Sequence, residues 1–289
     1  MTRIAVLTPD PADPSYASQW PGVRDRLAAA LAVVGIEAVP TPWTAHIDDA
    51  AGLADYPLIL PMIVWGYHRD HRRWLRACAT WTAADLPLAN PASVLAWNSD
   101  KSYLARLAGR GVPMPETIWS DGVTADTLAA AFASTGAERL IVKPTVSGGA
   151  WKTLRLSPGE AVDDAPEGSA MIQPYLPTIE TAGETSLLFF GGVFSHAVNK
   201  RPVPGDFRIQ VQYGGLYTPV PDPPAGALAL ARQVLAAIDE PLLYARIDMV
   251  PDAAGNWLLM EAELIEPDLY LDNDPARGAG LAAAVRARL

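Results

Sequence analysis

Hydrophobic residues in the first ninety positions fall into short apolar runs separated by longer amphipathic segments. Short apolar runs bounded by turn residues are typical of buried strands, and apolar residues at helical spacing are typical of helices. The pattern predicts strands at Ile4–Thr8, Ile36–Val39, Leu58–Val64 and Leu86–Ala89, and helices at Gly22–Val34 and Arg72–Ala84. Because the two kinds of element alternate, we expect a small parallel sheet flanked by helices.

Two β-favouring runs near the C-terminus, Tyr244–Val250 and Trp257–Leu264, flank the turn-forming residues PDAAGN and predict an antiparallel hairpin. Successive side chains of a strand point to opposite faces. One face is expected to carry Tyr244, Arg246, Asp248, Glu261 and Glu263, and the other, which joins the core, Ala245, Ile247, Met249, Leu258, Met260, Ala262 and Leu264. If Val250 pairs with Trp257, Asp248 lies diagonally from Glu261, at a spacing of roughly 7–8 Å.

Three carboxylates on one face of this hairpin, Asp248, Glu261 and Glu263, repel one another unless a positive charge lies between them. Carboxylate oxygens suit Mg²⁺ that is held jointly by protein and phosphate groups, so the hairpin is a candidate for a nucleotide site. The alternative is a solvated strand face on which Arg246 supplies the counter-charge. The hairpin by itself leaves both interpretations open.

Composition and charge narrow the class of protein. The chain has 289 residues, is 50% hydrophobic and 19% charged, and can therefore bury a substantial core. A formal charge of −10 argues against a nucleic-acid partner and favours small molecules. The single cysteine, Cys78, excludes an internal disulfide and is expected to be a buried structural thiol. With neither a signal peptide nor a long apolar segment, we expect a cytoplasmic protein without a membrane partner.

Residues with candidate binding chemistry lie in the middle of the chain. The strand-like Arg139–Pro144 carries Lys143 and runs into a loop that contains Ser147, Gly148 and Gly149. Backbone amides of such a loop can approach phosphate oxygens while a lysine supplies positive charge, although an ordinary hairpin turn would look similar. Lys101 stands at the start of a helix-like segment that Asn98 to Lys101 could cap, where a lysine either reaches solvent or meets an anion.

The loops after the first strands hold a second group of candidates, at the place where open α/β sheets bind ligands. This group indicates a substrate site and consists of Asp10, Tyr16, Trp65, Tyr67 and His68. His68 and His71 lack a third ligand nearby, so we expect exposed histidines and no zinc site. The chain has no GxxxxGK[ST] motif, and no glycine-rich fingerprint follows the first strand, so any nucleotide is expected elsewhere.

An ordered series of short motifs resembles the ATP-grasp superfamily. The series, which spans roughly residues 1–271, consists of Asp100-Lys101, Val142-Lys143-Pro144, Ser147-Gly148-Gly149, Gln173-Pro174-Tyr175, Gly205-Asp206-Phe207-Arg208, Arg246-Ile247-Asp248 and Glu261-Ala262-Glu263. The glutathione-synthetase-like branch is the most similar, particularly at DFRIQVQYGG. The length of the chain and its ELIEPDLYL segment resemble the cyclo-ligases that close O-ureidoserine into cycloserine.

This resemblance implies an α/β (α+β) ATP-grasp fold with three domains. They would be a Rossmann-like pre-ATP-grasp domain over residues 1–95, a small lid domain over 96–175, and a C-terminal antiparallel-sheet domain over 176–289. The implied roles are phosphate binding by Lys101 and Lys143, a flap of Ser147, Gly148 and Gly149, adenine binding by Gln173, Pro174, Tyr175 and Leu176, ribose binding by Glu180, Mg²⁺ binding by Asp248 and Glu261, and catalysis by Arg208 and Lys200.

Two positions limit the transfer of these roles. The family usually has asparagine where this chain has Glu263, so Glu263 either adds negative charge to a second metal site or serves another purpose. Lys200 is followed by Arg201, and only one of the two can face the site from a strand.

The implied activity is an ADP-forming ligase that uses ATP and Mg²⁺ to make a C–N bond through an acyl phosphate. The expected substrate is a small amino-acid-like molecule, with cyclisation of O-ureidoserine preferred over intermolecular ligation of amino acids or peptides. A non-catalytic ATP-binding module and a small-molecule kinase are the alternatives from other classes. A homodimer is also considered.

Overall fold

The computed structural model describes residues 1–162 and 164–289, which form three sheets surrounded by helices. The strands are β1 (Thr2–Thr8), β2 (Ile36–Pro42), β3 (Ile59–Leu60), β4 (Ile118–Ser120), β5 (Leu140–Pro144), β6 (Leu154–Leu156), β7 (Ala170–Pro174), β8 (Glu184–Phe190), β9 (Val193–Arg201), β10 (Leu216–Pro219), β11 (Tyr244–Pro251) and β12 (Trp257–Glu263). The α-helices are α1 (Trp20–Ala32), α2 (His71–Ala83), α3 (Ala92–Asn98), α4 (Tyr103–Gly109), α5 (Ala125–Thr135), α6 (Thr178–Thr181), α7 (Ala225–Ala236) and α8 (Ala279–Arg286).

The first sheet is parallel, with strand order β2-β1-β3, as the alternation of strands and helices predicts. The predicted strand Leu58–Val64 is wrong in extent, because β3 covers only Ile59–Leu60. Pro61 follows at once and has no backbone N–H for the ladder. The segment Leu86–Ala89 adds one bridge, from Leu88 to Ile59, and is not a full strand.

The second and third sheets are antiparallel and carry most of the predicted site. The second has the order β4-β7-β5-β6 and packs against α5, with Leu128, Leu140, Val142 and Ile172 in its core. The third has the order β10-β9-β8-β11-β12 and packs one face on α7. Its core continues into the first sheet, so Leu188 and Phe190 share a cluster with Ile4 and Val6. The domain boundaries at residues 95 and 175 stay predictions.

The hairpin of β11 and β12 exists, but its predicted register is wrong. Val250 pairs with Leu258, and a β-bulge between Asp248 and Met249 then places Asp248 directly opposite Glu261. A bulge puts one extra residue in one strand, so the side chains on either side of it no longer follow one simple alternation between the two faces. Leu259 therefore joins the core together with Ala262 and Leu264, whereas the apolar face predicted for Leu258 and Met260 is wrong.

The segment between the first two sheets differs from the prediction as well. Helix α4 begins at Tyr103, and Lys101 lies in the turn before it. Asn98 does not cap α4, because its side chain bonds the backbone of β12 instead. Cys78 is buried as predicted, and burial raises the pKa of its thiol to about 12. Across the described ranges, no helix combines the length and the hydrophobicity that a membrane span requires.

Candidate active site

Charged side chains converge on the face of the third sheet that points away from α7. They come from neighbouring strands, because the pairs Glu184–Lys200 and Asp248–Glu261 stand opposite each other in the ladders. Lys200 Nζ lies 2.6 Å from Glu184 Oε1 and 3.2 Å from Asp248 Oδ2. Lys200 is only 3% exposed, whereas Arg201 is exposed and bonds Asn199. The strand therefore turns Lys200, and not Arg201, toward the site.

Arg246 is the second buried cation of this face. Its guanidinium bonds Asp248, with Nη2 to Oδ2 at 2.9 Å, and also pairs with Glu263. The ring of Tyr270 covers this group at 5.3 Å from the guanidinium carbon. Arg246 and Lys200 thus hold Asp248 from two sides. Although burial opposes ionisation, these charges lower the pKa of Asp248 to about 2.

Burial and charge act differently on the two glutamates of β12. Burial alone would raise the pKa of Glu261, but Lys101 and Lys143 outweigh it and lower that pKa. For Glu263 burial prevails, helped by Glu261 and Asp248, and its pKa rises to about 8 despite the attraction of Arg246. The pKa values of these two glutamates, which lie on the same face, are therefore shifted in opposite directions.

The lysines predicted to bind phosphate lie beside Glu261. Lys101 Nζ is 2.7 Å from Glu261 Oε1 and 3.4 Å from the carbonyl oxygen of Ser147. Lys143 points to the same region from β5, and burial lowers the pKa of its ammonium group. Side chains that are far apart in the sequence therefore form one positively charged wall that faces the acidic sheet.

The turn at Ser147, Gly148 and Gly149 lies next to these lysines, where the carbonyl oxygen of Ser147 contacts Lys101. A Cβ atom on Gly148 would lie 3.1 Å from Nδ1 of His68, so the turn lies close to the segment that precedes α2. Gln212 donates to the carbonyl oxygen of Gly149 at 3.4 Å. The expectation of exposed histidines is wrong, since His68 is half-buried against this turn and His71 contacts the hydroxyl of Ser99 at 2.8 Å.

The segment predicted to bind adenine and ribose forms the end of β7 and the turn into α6. Gln173 is buried and donates to the hydroxyl of Thr117 at 2.8 Å. Beyond Pro174, the hydroxyl of Tyr175 donates to Glu180, which also bonds Arg155 at 3.3 Å. The carbonyl of Leu176 accepts a hydrogen bond from the backbone N–H of Ile179 in α6. The predicted residues are therefore contiguous, with Glu180 on the exposed side.

Arg208 lies apart from the acidic face, in the loop between β9 and β10. Its Nη2 is 2.8 Å from Asp206 Oδ2, and its guanidinium carbon lies 3.7 Å from the centre of the Tyr213 ring. The hydrogen bonds from Arg208 bring the pKa of Asp206 far below its usual range. The catalytic role of Arg208 stays a prediction.

The oxygen ligands of the site fit Mg²⁺. Asp248 and Glu261 face each other across two paired strands, and Mg²⁺ typically binds one or two carboxylates together with substrate phosphates. Within residues 1–162 and 164–289, no group of three or more His, Cys, Asp or Glu side chains is arranged to hold a metal by itself. Phosphate oxygens would therefore have to supply the remaining ligands. Glu263, which is paired with Arg246, stays a predicted ligand.

Two asparagines and a tyrosine from residues 90–103 hold the hairpin in place. The amide of Asn90 donates to the carbonyls of Tyr244 and Leu264 and accepts from the N–H of Leu243. Asn98 likewise accepts from the N–H of Leu264 and donates to Ala262. The hydroxyl of Tyr103 also contacts the backbone of Ala262. We call these residues the asparagine clamp.

Sequence reasoning missed several features of the site. Arg246 was placed on the face of Asp248, but only as a counter-charge, whereas it pairs with both Asp248 and Glu263. Glu266 and Tyr270 were not singled out, because they follow β12 in an irregular segment with no periodic pattern. The asparagine clamp had no sequence signal at all, since its partners are backbone groups more than a hundred residues away.

Comparisons with known proteins show which chains and folds this one resembles. No family model matches the chain. The chain is 29% identical to the cycloserine biosynthesis protein DcsG of Streptomyces lavendulae over 289 residues, which covers 91% of this chain and 92% of that protein. The crystal structure of D-cycloserine synthetase DcsG matches 99% of both chains with a TM-score of 0.83 and 26% identity.

More distant structures share the fold. The D-alanine–D-alanine ligase of Bacillus anthracis matches with a TM-score of 0.73 and 16% identity over 100% of this chain and 99% of that one. A RimK domain ATP-grasp protein of Sphaerobacter thermophilus has a TM-score of 0.69, also with 16% identity and the same coverage. The chain therefore has the fold of these ATP-grasp proteins over nearly its whole length.

Proposed function

We propose that the protein is an ADP-forming ligase that joins a carboxylate to a nitrogen within one small amino-acid-like molecule. One observation carries the proposal: the acidic face with Asp248 and Glu261 lies opposite Lys101 and Lys143, beneath a small-residue turn. This arrangement matches the needs of phosphoryl transfer, in which cations neutralise the transferred group and oxygen ligands hold the metal.

The reaction would proceed in two halves. A carboxylate is a poor electrophile, so the terminal phosphoryl group of ATP would first be transferred to it, giving an acyl phosphate and ADP. Mg²⁺ would neutralise phosphate charge during this transfer. A nitrogen atom would then attack the activated carbonyl and release phosphate, which requires orientation and exclusion of water.

Individual residues have defined tasks in this proposal. Lys101 and Lys143 would bind phosphate oxygens, and Asp248 and Glu261 would hold the metal. Ser147, Gly148 and Gly149 would close over the phosphates through their backbone amides. The backbone from Gln173 to Leu176 would bind adenine, and Glu180 would bind ribose. Lys200 would keep Asp248 ionised and oriented, since its ammonium is already committed to that carboxylate and to Glu184.

Cyclisation is favoured over intermolecular ligation by the similarity to DcsG, which covers nearly the whole of both chains. The D-alanine–D-alanine ligase of Bacillus anthracis is less similar in sequence, with 16% identity. O-ureidoserine is therefore the first substrate to test. Ligation of two separate molecules is the second candidate, because the fold also serves that chemistry in the D-alanine–D-alanine ligase.

A panel of acids tested for ADP release separates these possibilities. Each candidate, with O-ureidoserine first, is incubated with MgATP alone and then with added amines. We expect ADP and phosphate with a single substrate and a cyclic product by mass spectrometry. A requirement for a second amine would support intermolecular ligation, and a stable phosphorylated product would indicate a kinase. AMP with pyrophosphate would contradict the acyl-phosphate route.

A further inference from the structure

Tyr270, in the segment after β12, has a backbone conformation that few bulky residues adopt. Its φ angle is +47°, in the left-handed region that favours glycine. A bulky residue in this region costs stability and persists only where its surroundings enforce it, which happens frequently at ligand sites. Tyr270 is also buried, with 7% of its surface exposed. The neighbours of Tyr270 therefore impose the position of its side chain.

Hydrogen bonds to the third sheet fix the backbone around Tyr270. The N–H of Tyr270 donates to Asp268 Oδ1 at 2.9 Å, and the carbonyl of Asp268 accepts from Arg246 Nη1 at 3.3 Å. The carbonyl of Leu269 accepts from Nε2 of the buried His196 at 2.9 Å. Because His196 belongs to β9 and Arg246 to β11, the segment is held on two strands of the sheet.

This backbone places the Tyr270 ring over the charged face of the third sheet. The ring centre lies 5.3 Å from the guanidinium carbon of Arg246 and 6.0 Å from Nζ of Lys200. Tyr217 stands opposite Lys200 in the ladder of β9 and β10, and its ring meets the Tyr270 ring edge to face, at 5.4 Å and 87°. We call Tyr217 and Tyr270 the tyrosine pair.

The charged face is open at the β12 edge and closed toward the tyrosine pair. The side chain of Glu261, on β12, is 29% exposed, whereas those of Asp248 and Lys200 are each 3% exposed. In-line phosphoryl transfer places the acceptor on the far side of the transferred group from ADP. Since adenine is expected at β7 of the second sheet, the reacting carboxylate is expected on the side of the tyrosine pair.

We propose that Tyr270 determines the substrate specificity of the ligase, because its ring occupies the volume beside the reacting carboxylate that a separate amine would need. Given the proposed ligase function, on which this inference rests, the attacking nitrogen then has to belong to the same molecule. That nitrogen attacks the carbonyl carbon of the acyl phosphate, and the C–N bond forms. The bond from carbon to the phosphate oxygen breaks with its electron pair, and the N–H proton leaves to solvent.

Competition between internal and external nitrogen nucleophiles tests this role. Each full-length protein is incubated with MgATP, O-ureidoserine as the first acid, and added ammonia, methylamine or glycinamide. Mass spectrometry measures the ratio of open-chain amide to cyclic product, which does not depend on how much of a variant is folded. The variants are Tyr270→Ala, Tyr217→Ala and Tyr270→Phe, which keeps the ring. Tyr56→Ala, which removes a ring packed against the core of the first sheet, is the control.

With glycinamide we expect the ratio of amide to cyclic product to rise by about tenfold or more in Tyr270→Ala, a discrimination that a change of pocket volume can provide. The rise should be smaller in Tyr217→Ala, whose ring lies behind that of Tyr270. It should also be smaller with ammonia, which needs little space. The ratio in Tyr270→Phe and Tyr56→Ala should stay within about twofold of the wild type, because the ring of Tyr270 remains in both.

An unchanged ratio in both alanine variants of the tyrosine pair, with cyclic product still formed, would overturn the proposal and leave the ligase function standing. An equal rise in Tyr270→Phe and Tyr270→Ala would also overturn it, because the ring is still present in the phenylalanine variant. Loss of ADP release in both alanine variants would assign the pair to phosphoryl transfer or to the fold instead. If the wild type releases no ADP with any acid, the proposed ligase function itself fails.

Discussion

Glu261 and Glu263 are two residues apart on one face of β12, yet they have different partners. Glu261 pairs with Lys101, whereas Glu263 pairs with Arg246. We predict that Glu261→Gln lowers turnover by more than about 100-fold, because it removes a carboxylate that would hold the metal. Glu263→Asn should cost less than about tenfold. Steady-state ADP release measures both, with ATP-free melting curves as the control for folding, and an equal complete loss would show that the metal ligands are wrongly assigned.

The prediction for Lys200 concerns stability, because its ammonium group pairs with two buried carboxylates. Burial alone would lower the pKa of its ammonium, but Asp248 and Glu184 outweigh burial and raise that pKa well above its usual value. Lys200→Met would leave two buried carboxylates without this partner, and we expect a loss of about 3–5 kcal/mol in the free energy of unfolding. Arg201→Met, at the exposed neighbouring position, is the matched control and should change stability by less than about 0.5 kcal/mol. Urea denaturation measures both, and equal effects would contradict the assigned orientation.

Glu266 should also affect stability in a pH-dependent manner. Burial raises its pKa in the folded chain to about 7, from an ordinary value of 4.5. Between these values the folded state binds a proton that the unfolded state lacks, so its contribution favours folding at low pH and is lost as the pH rises. Relative to wild type, Glu266→Gln should be equally stable near pH 4.5 and more stable near pH 8, by about 1–3 kcal/mol.

The measurement for Glu266 is urea denaturation of the ATP-free protein at several pH values. Burial lowers the pKa of His68 to about 4, which gives stability the opposite pH dependence. This contribution is common to variant and wild type, so it cancels in the difference between their free energies of unfolding. If the difference in free energy of unfolding does not change with pH, the pKa of Glu266 is not raised in the folded protein.

At the scale of elements, the hairpin shows what a sequence pattern can and cannot predict. The two runs and their turn were sufficient to predict β11 and β12, because β-favouring residues and turn formers act locally. The bulge depends on contacts with residues elsewhere in the chain, and the predicted register and the faces of Leu258 and Met260 were wrong for that reason. The same limit applies to α4, because the side chain of Asn98 donates a hydrogen bond to the hairpin at Ala262 and does not cap the helix.

The flap turn gives an element-scale prediction. A Cβ atom at Gly148 would lie 3.1 Å and 3.2 Å from two ring atoms of His68, which is closer than ordinary van der Waals contact. Gly148→Ala should therefore push the turn from its position and raise the KM for ATP by several-fold, with a smaller effect in the double variant that also carries His68→Ala. Gly122→Ala, where a Cβ meets nothing within 4 Å, is the control. No rescue by His68→Ala would contradict this contact.

At the scale of the whole molecule, the order of the motifs was sufficient to predict the fold, and side chains distant in sequence converge as that order implies. Lys101, Lys143, Asp248 and Glu261 come from three different regions and form one site. What could not be predicted depends on three-dimensional placement: Glu266 beside Tyr67, Tyr270 over Arg246, and the asparagine clamp. No single segment contains both partners of these contacts, so no local pattern signals them.

The asparagine clamp has a consequence for how copies of this protein meet. β12 is the outermost strand of its sheet, and an open strand edge is a template for pairing with another chain. Here Asn98 and Tyr103 occupy its outward-facing backbone groups at Ala262 and Leu264, and the N–H of Leu259 bonds Pro113. Asn98→Ala combined with Tyr103→Phe should therefore promote aggregation, measurable by light scattering. In the intact protein this strand is closed to intermolecular sheet extension, so a homodimer would have to form through a different surface.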